Sequence, residues 1–315
     1  MRRGLLISMI WLLVATPAAA FDRRGEAVTL GGMNVVVWSP AVPVVAKKPV
    51  IIFSHGFHGG ARQSCFLMEA LAAQGYLVFA PNHHDATGRE GGSSWLDRPQ
   101  EPFVKPAEWS AATYRDRAED IRKLVATLKT EARFRAQADL EHIGLVGHSL
   151  GGYTVLGLAG AWPGWRLEDV KAVLALSPYS QPFLAHQTLS GLTAPVMYQG
   201  GTLDFGVTPA LRKVRGAYDQ TTVPKYYVEF TGMGHLAWTD LRSAAHQEII
   251  AYSLAFLDHY VKGLPAAPVL TQAQPGVALL RYDSELGTNG TATGQDSGWP
   301  SWRQRLRQRR SGTND

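Results

Sequence analysis

A serine hydroxyl is a weak nucleophile until a base removes its proton, and histidine can do that near neutral pH. Three residues of the chain suit that chemistry. Ser149 stands in "GHSLGG" (147–152), Asp204 in "GGTLDFGVTP" (200–209) and His235 in "TGMGHLAW" (231–238). A carboxylate beside the imidazole would fix its tautomer and stabilise its charged form. The order Ser, Asp, His is the one expected when a nucleophile elbow lies mid-chain in an α/β sheet. The glycines beside Ser149 permit a bend too tight for larger neighbours, although an ordinary strand-to-helix turn also favours Gly. Asp85 and Asp240 are rival carboxylates for Asp204.

Acyl transfer also needs donors for an oxyanion. The backbone amide of Leu150, directly after Ser149, is one; that of Phe57, in "SHGFHGG" (54–60), is the other. Phe57, Tyr179 and Trp238 follow strand ends and are candidates for an apolar acyl pocket, with core or rim packing as the alternative for each. "NHHD" (82–85) holds ligand-type side chains, but adjacent residues on one short loop rarely converge on one ion. It reads as a network supporting the rim, and no metal or cofactor is expected. His55 and His58 would line the entrance or hydrogen-bond the same loop. Trp162 and Trp165 read as structural, and Cys65 as a buried small hydrophobe.

These groups need strands to position them. "KPVIIFSHG", "YLVFAPNH", "HIGLVGH", "VKAVLALSP", "APVMYQGG" and "KYYVEFTG" are apolar runs, the pattern of strands buried on both faces. Helical spacing separates several of them: "ARQSCFLMEALAAQG", "EWSAATYRDRAEDIRKLVATLKTEA", and "DLRSAAHQEIIAYSLAFLDHYVKG" at the end. "AVTLGGMNVVVW" (27–38) reads as two short strands around a Gly-Gly turn. Alternation of this kind predicts a mostly parallel sheet with helices on both faces, and ligands meet such a sheet at the carboxyl ends of its strands. Ser149, Asp204 and His235 all follow strands.

The set "SHGFHGG", "GHSLGG", "GGTLD" and "GMGH" resembles the α/β-hydrolase fold. Within it, "FSHGFHGGARQSCFLMEALAAQGYLVFAPNHHD" is similar to platelet-activating-factor-acetylhydrolase-like and dienelactone-hydrolase-like esterases. The resemblance covers about residues 48 to 262. It implies Ser149 as nucleophile, His235 as base, Asp204 as the triad acid, and Phe57 and Leu150 as oxyanion donors. Dienelactone hydrolases use Cys where this chain has Ser149, so lactone specificity does not carry over. The short stretch from Pro178 to Thr193 leaves no space for a large helical cap, which implies an open cleft.

The whole chain, 315 residues with 45% hydrophobic and 18% charged, has ample material for a core. Its net charge of +5 is matched by five Arg in "RQRLRQRR" (303–310), so the body is near neutral and nucleic acid is not an expected partner. Arg2 and Arg3, an apolar run and "AAA" at 18–20 read as a signal peptide with a cleavage site, a retained signal anchor being the alternative. The expected organisation is a signal peptide over 1–20, a catalytic domain over 21–270, and an extension over 271–315 that is disordered from about 285. The expected activity is that of an exported (periplasmic or secreted) serine esterase on short-to-medium acyl esters. The partner is then a small or lipid-like ester, with no stable membrane span after cleavage. Alternatives are a lipase or polyesterase on larger apolar esters, a peptidase or acyltransferase with the same triad, and a binding protein on the same fold without chemistry.

Overall fold

The computed structural model describes residues 24–40, 46–88 and 92–294. The segment expected to be a signal peptide and the Arg-rich run at 303–310 lie outside the described residues. Ten strands form one sheet: β1 (Glu26–Leu30), β2 (Met33–Trp38), β3 (Lys48–Ser54), β4 (Leu77–Pro81), β5 (Ala138–His148), β6 (Val170–Leu176), β7 (Val196–Gly201), β8 (Lys225–Phe230), β9 (Val277–Ser284) and β10 (Gly287–Ala292), in the order β1-β2-β4-β3-β5-β6-β7-β8-β9-β10. The run from β4 to β8 is parallel, and antiparallel pairs close both edges. The helices are α1 (Cys65–Ala73), α2 (Arg115–Thr130), α3 (Ala132–Arg135), α4 (Leu150–Leu156), α5 (Gln181–His186), α6 (Thr208–Arg212), α7 (Ala217–Gln220) and α8 (His246–Tyr260).

The period of two along each strand explains the double-sided core. Val50 and Ile52 of β3 face one cluster with Ile121, Leu124 and Leu128 of α2 and Tyr153 of α4. Ile51 and Phe53 face the other with Leu67 and Leu71 of α1 and Tyr252, Phe256 and Leu257 of α8. Because both faces are covered, the central strands are largely apolar, and their loops carry the reactive groups. The connection between β6 and β7 holds little more than α5 and a turn of 3-10 helix (Leu189–Gly191), so no large cap is built there.

Two boundaries differ from the sequence reading. Helix α2 begins at Arg115 rather than near Glu108, because Pro106 starts a separate 3-10 turn and Tyr114 adopts φ 57°. The domain also does not stop at 270. Strand β9 pairs antiparallel with β8 and buries Val277 and Leu280, and β10 pairs with β9 through Ala292, inside the region expected to be disordered. The sheet needs β9 because β8 would otherwise present a bare edge beside α8.

Candidate active site

Strand β5 runs directly into α4, and Ser149 is the single residue of the turn, with φ 55° and ψ −116°. This left-handed backbone is costly for a residue with a side chain and is held by its surroundings. Ser149 N–H donates to the Leu176 carbonyl at 3.1 Å, and its own carbonyl accepts from Tyr179 N–H at 2.9 Å. The glycines answer to space. A Cβ on Gly147 would lie 2.2 Å from the Gly151 carbonyl oxygen, and one on Gly151 would lie 1.9 Å from that of Ser54. Small residues therefore let α4 start tightly against β3 and β5 while the Ser149 hydroxyl stands at the cleft.

The three reactive side chains meet there. Ser149 Oγ lies 2.9 Å from His235 Nε2, and His235 Nδ1 lies 3.2 Å from Asp204 Oδ2. Asp204 follows β7 and is buried; His235 follows β8 and is partly exposed. Burial pushes the Asp204 carboxyl upward, but hydrogen bonds from His235 and Ser177 outweigh it and hold the group below the ordinary carboxylate range. With Asp204 ionised, Nδ1 carries the proton and Nε2 is left to accept from Ser149.

Ser177, not singled out by sequence reasoning, completes this arrangement. Its Oγ accepts from His235 Nδ1 at 2.8 Å and donates to Asp204 Oδ2 through a very short contact. It sits just past β6 with φ 41°, so the strained end of a third strand delivers a hydroxyl to the same imidazole. The available signal was its place at the carboxyl end of "AVLALS".

The rival acids have other partners. Asp240 accepts from the N–H groups of Cys65 and Phe66, both at 3.1 Å, and so caps the start of α1. Asp85 pairs with Arg117 at 2.7 Å, both buried. Burial raises the Asp85 carboxyl, yet the Arg117 charge and hydrogen bonds more than reverse this, bringing it to about 2. The "NHHD" residues diverge: His83 bonds Asp120 at 2.8 Å and the Ser54 hydroxyl at 3.0 Å, His84 pairs with Asp116, and Asp85 takes Arg117. Among the described residues no cluster of three or more His, Cys, Asp or Glu could hold a metal ion.

Arg117 also supports the turn after β3. It donates to the carbonyls of His55 at 2.7 Å and Gly56 at 3.4 Å, and His55 Nδ1 donates to Gly56 O at 2.8 Å. Since a trans peptide points its C=O and the following N–H in opposite directions, fixing Gly56 O against the buried side turns the Phe57 N–H away from it. The amide of Leu150 opens α4 directly after Ser149. Burial, then the Arg117 charge, push His55 and His83 well below the usual imidazole range, so both are neutral beside this cation.

A cleft of about 520 Å³ opens above Ser149 and His235, walled by Phe57, Phe103, Tyr179, Leu203 and Phe205. Tyr179 is fixed by a hydrogen bond from its hydroxyl to the Phe103 carbonyl at 2.7 Å, which ties the 92–106 segment to the cleft wall. His58 stacks on Phe57, and Trp95 meets the edge of His58. Trp238 is a correction. It does not line the cleft but is fully buried, donating to Gln199 Oε1 at 2.9 Å and packing on Phe230, because the 3-10 turn His235–Trp238 rolls its ring under the sheet end.

Cutinase 2 of Thermobifida cellulosilytica is 24% identical over 215 residues, which cover 67% of this chain and 68% of that protein. A cutinase of Thermobifida fusca is also 24% identical over 215 residues, covering 67% of this chain and 56% of its own. At family level, residues 51–313, most of the sequence, match the alpha/beta hydrolase family. A mostly parallel sheet covered on both faces agrees with that match, and the chain belongs to the alpha/beta hydrolase family.

Proposed function

We propose that this protein is a serine esterase that hydrolyses carboxylic esters through an acyl-enzyme. The observation that carries the reading is the continuous line from Ser149 Oγ through His235 to Asp204, set on a strained elbow at the floor of an open cleft. In this reading His235 Nε2 takes the Ser149 proton as Oγ attacks the ester carbonyl. The amides of Phe57 and Leu150 receive the oxyanion, and each such donor is worth roughly 3 kcal/mol in the transition state. His235 then protonates the leaving alcohol, and water, deprotonated by the same imidazole, releases the acid. Asp204 and Ser177 hold Nδ1–H throughout. The motif likeness to platelet-activating-factor-acetylhydrolase-like esterases supports this chemistry, and the N-terminal sequence supports export.

Short-to-medium acyl chains suit a cleft bounded by the rings of Phe57, Phe103 and Tyr179. A second reading, hydrolysis of polyesters or lipid esters, is favoured by Leu203 and Phe205, which line the cleft mouth while 52% and 77% exposed. The relatives named as cutinases support the same reading.

One experiment addresses both. A fluorophosphonate probe should label Ser149 in the folded protein, and p-nitrophenyl esters of increasing chain length, run beside a polyester film, should show turnover that peaks at short-to-medium length. Absence of labelling and turnover would leave a binding protein. Faster release from the film than from any soluble ester would favour the polyesterase.

A further inference from the structure

Three of the loops that carry groups assigned to the reaction are the turn after β3, the elbow after β5 and the loop after β8. One side chain ties all three. Gln63, between β3 and α1, accepts from the Gly56 N–H at 3.0 Å through Oε1. Its Nε2 lies 2.7 Å from Nδ1 of His148, the residue before Ser149. His148 Nε2 in turn lies 2.9 Å from the backbone carbonyl of His235.

The direction of this chain is forced. A carbonyl only accepts, so His148 carries its proton on Nε2. In the neutral ring Nδ1 is then an acceptor, and the amide nitrogen of Gln63 supplies its N–H donor. The carboxamide therefore has one orientation, with its oxygen on Gly56 and its nitrogen on His148. Burial, then the neighbouring His235, push the His148 imidazole down to about 3, which suits a neutral ring that relays hydrogen bonds.

Two further contacts show that the region is shaped around this side chain. A Cβ on Gly59 would stand 2.2 Å from Gln63 Oε1, and one on Gly56 3.2 Å, so the glycines of "GFHGG" make room for the carboxamide. The Gln63 carbonyl also accepts from Asp240 N–H at 3.0 Å, fixing the chain shortly after His235.

We propose that Gln63 is a positioning residue that, through neutral His148, sets the spacing of the oxyanion turn, the nucleophile elbow and the His235 loop. It touches no reacting atom. Its effect belongs to the alignment reached in the transition state, so it should act on kcat far more than on KM. The inference rests on the serine-esterase reading above.

The test uses Gln63→Glu and Gln63→Met in the full chain. Glutamate keeps the acceptor for Gly56 N–H but has no N–H for His148 Nδ1, which must take up a proton to bond the carboxylate. Methionine fills similar space with neither polar atom. Nitrogen NMR of the imidazoles should show His148 neutral and protonated on Nε2 in the wild type at pH 7, and doubly protonated in Gln63→Glu. On p-nitrophenyl butyrate, kcat per fluorophosphonate-titrated site should fall ~10–100-fold in both variants, with KM within about threefold. An unchanged His148 signature in Gln63→Glu overturns the proposal. So does wild-type kcat per titrated site in both variants, even if their melting temperatures fall, since Gln63 would then be structural alone. If the wild type neither labels nor turns over, the esterase reading fails, and the NMR result still decides whether Gln63 governs His148.

Discussion

At the scale of single residues the candidate site separates three carboxylates by their partners. Asp204 faces His235 Nδ1, Asp240 caps α1, and Asp85 is neutralised by Arg117. Ser149→Ala should lower kcat by at least ~10⁴-fold while the melting temperature stays near wild type, since only that hydroxyl can carry the acyl group. Asp204→Asn should lower kcat by up to ~10⁴-fold by favouring the wrong imidazole tautomer. Asp240→Asn should leave kcat near wild type and cost about 1 kcal/mol of stability or less, because asparagine also caps helices. Reversed effects in the two carboxylate variants, read by steady-state kinetics and urea unfolding, would move the acid to 240. Ser177→Ala removes one of the two acceptors facing Nδ1–H and leaves Asp204 in place. Its kcat should drop roughly tenfold, about the worth of one ordinary hydrogen bond; no change in kcat would make Ser177 a packing residue.

At the scale of elements, the parallel strands were legible because each is a continuous apolar run with a turn residue at its end. The ends of β3, β5, β7 and β8 carry Phe57, Ser149, Asp204 and His235 to one edge of the sheet, and the strand pattern of the sequence already implies that placement. Three things were not legible. Ser177 carries no motif, and its role exists only because β6 lies between β5 and β7 in the sheet. Trp238 shares a short loop with His235, and sequence cannot say to which side a 3-10 turn rolls a ring. β9 and β10 escaped because "GTNGTA" is polar and rich in Gly, as a solvated edge strand can be, while antiparallel pairing needs no helix to announce it. The pairing has a consequence for truncation. Ending the chain at Glu285 removes β10 and leaves β9 on β8, so esterase activity should survive with some loss of melting temperature. Ending it at Gln272 strips β8 and uncovers the surface that Val277 and Leu280 bury, so the protein should aggregate or lose most of its stability. Equal melting temperatures for the two truncations, measured by calorimetry, would show that β9 adds nothing to the domain.

At the scale of the whole molecule, three buried imidazoles lie at the strand ends around the candidate site, and that gives the fold a pH limit. His55, His83 and His148 are buried and held below their ordinary titration range, chiefly by loss of hydration. In the unfolded chain each would titrate near ~6.5. As pH falls below that value the unfolded state takes up protons that the folded state refuses, so stability must drop. Asp120 works in the opposite direction. Burial raises its carboxyl to about 6, so between roughly pH 4 and 6 the folded state holds a proton that the unfolded state releases. Three imidazoles against one carboxyl leave a net uptake of protons on unfolding in mild acid, so stability falls as the pH drops below the ordinary imidazole range. The depressed carboxylates add to this only later. Asp85, at about 2, contributes stability that is present above ~4 and is lost as the solution becomes more acid than that. Acid unfolding should therefore begin between roughly pH 6.5 and 5, well before ordinary carboxylates protonate, and urea midpoints at pH 7, 6 and 5 should fall in that order. A midpoint that stays level from pH 7 to 5 would mean that these imidazoles are charged in the folded protein, and that the hydrogen-bond directions drawn through His55 and His148 are wrong.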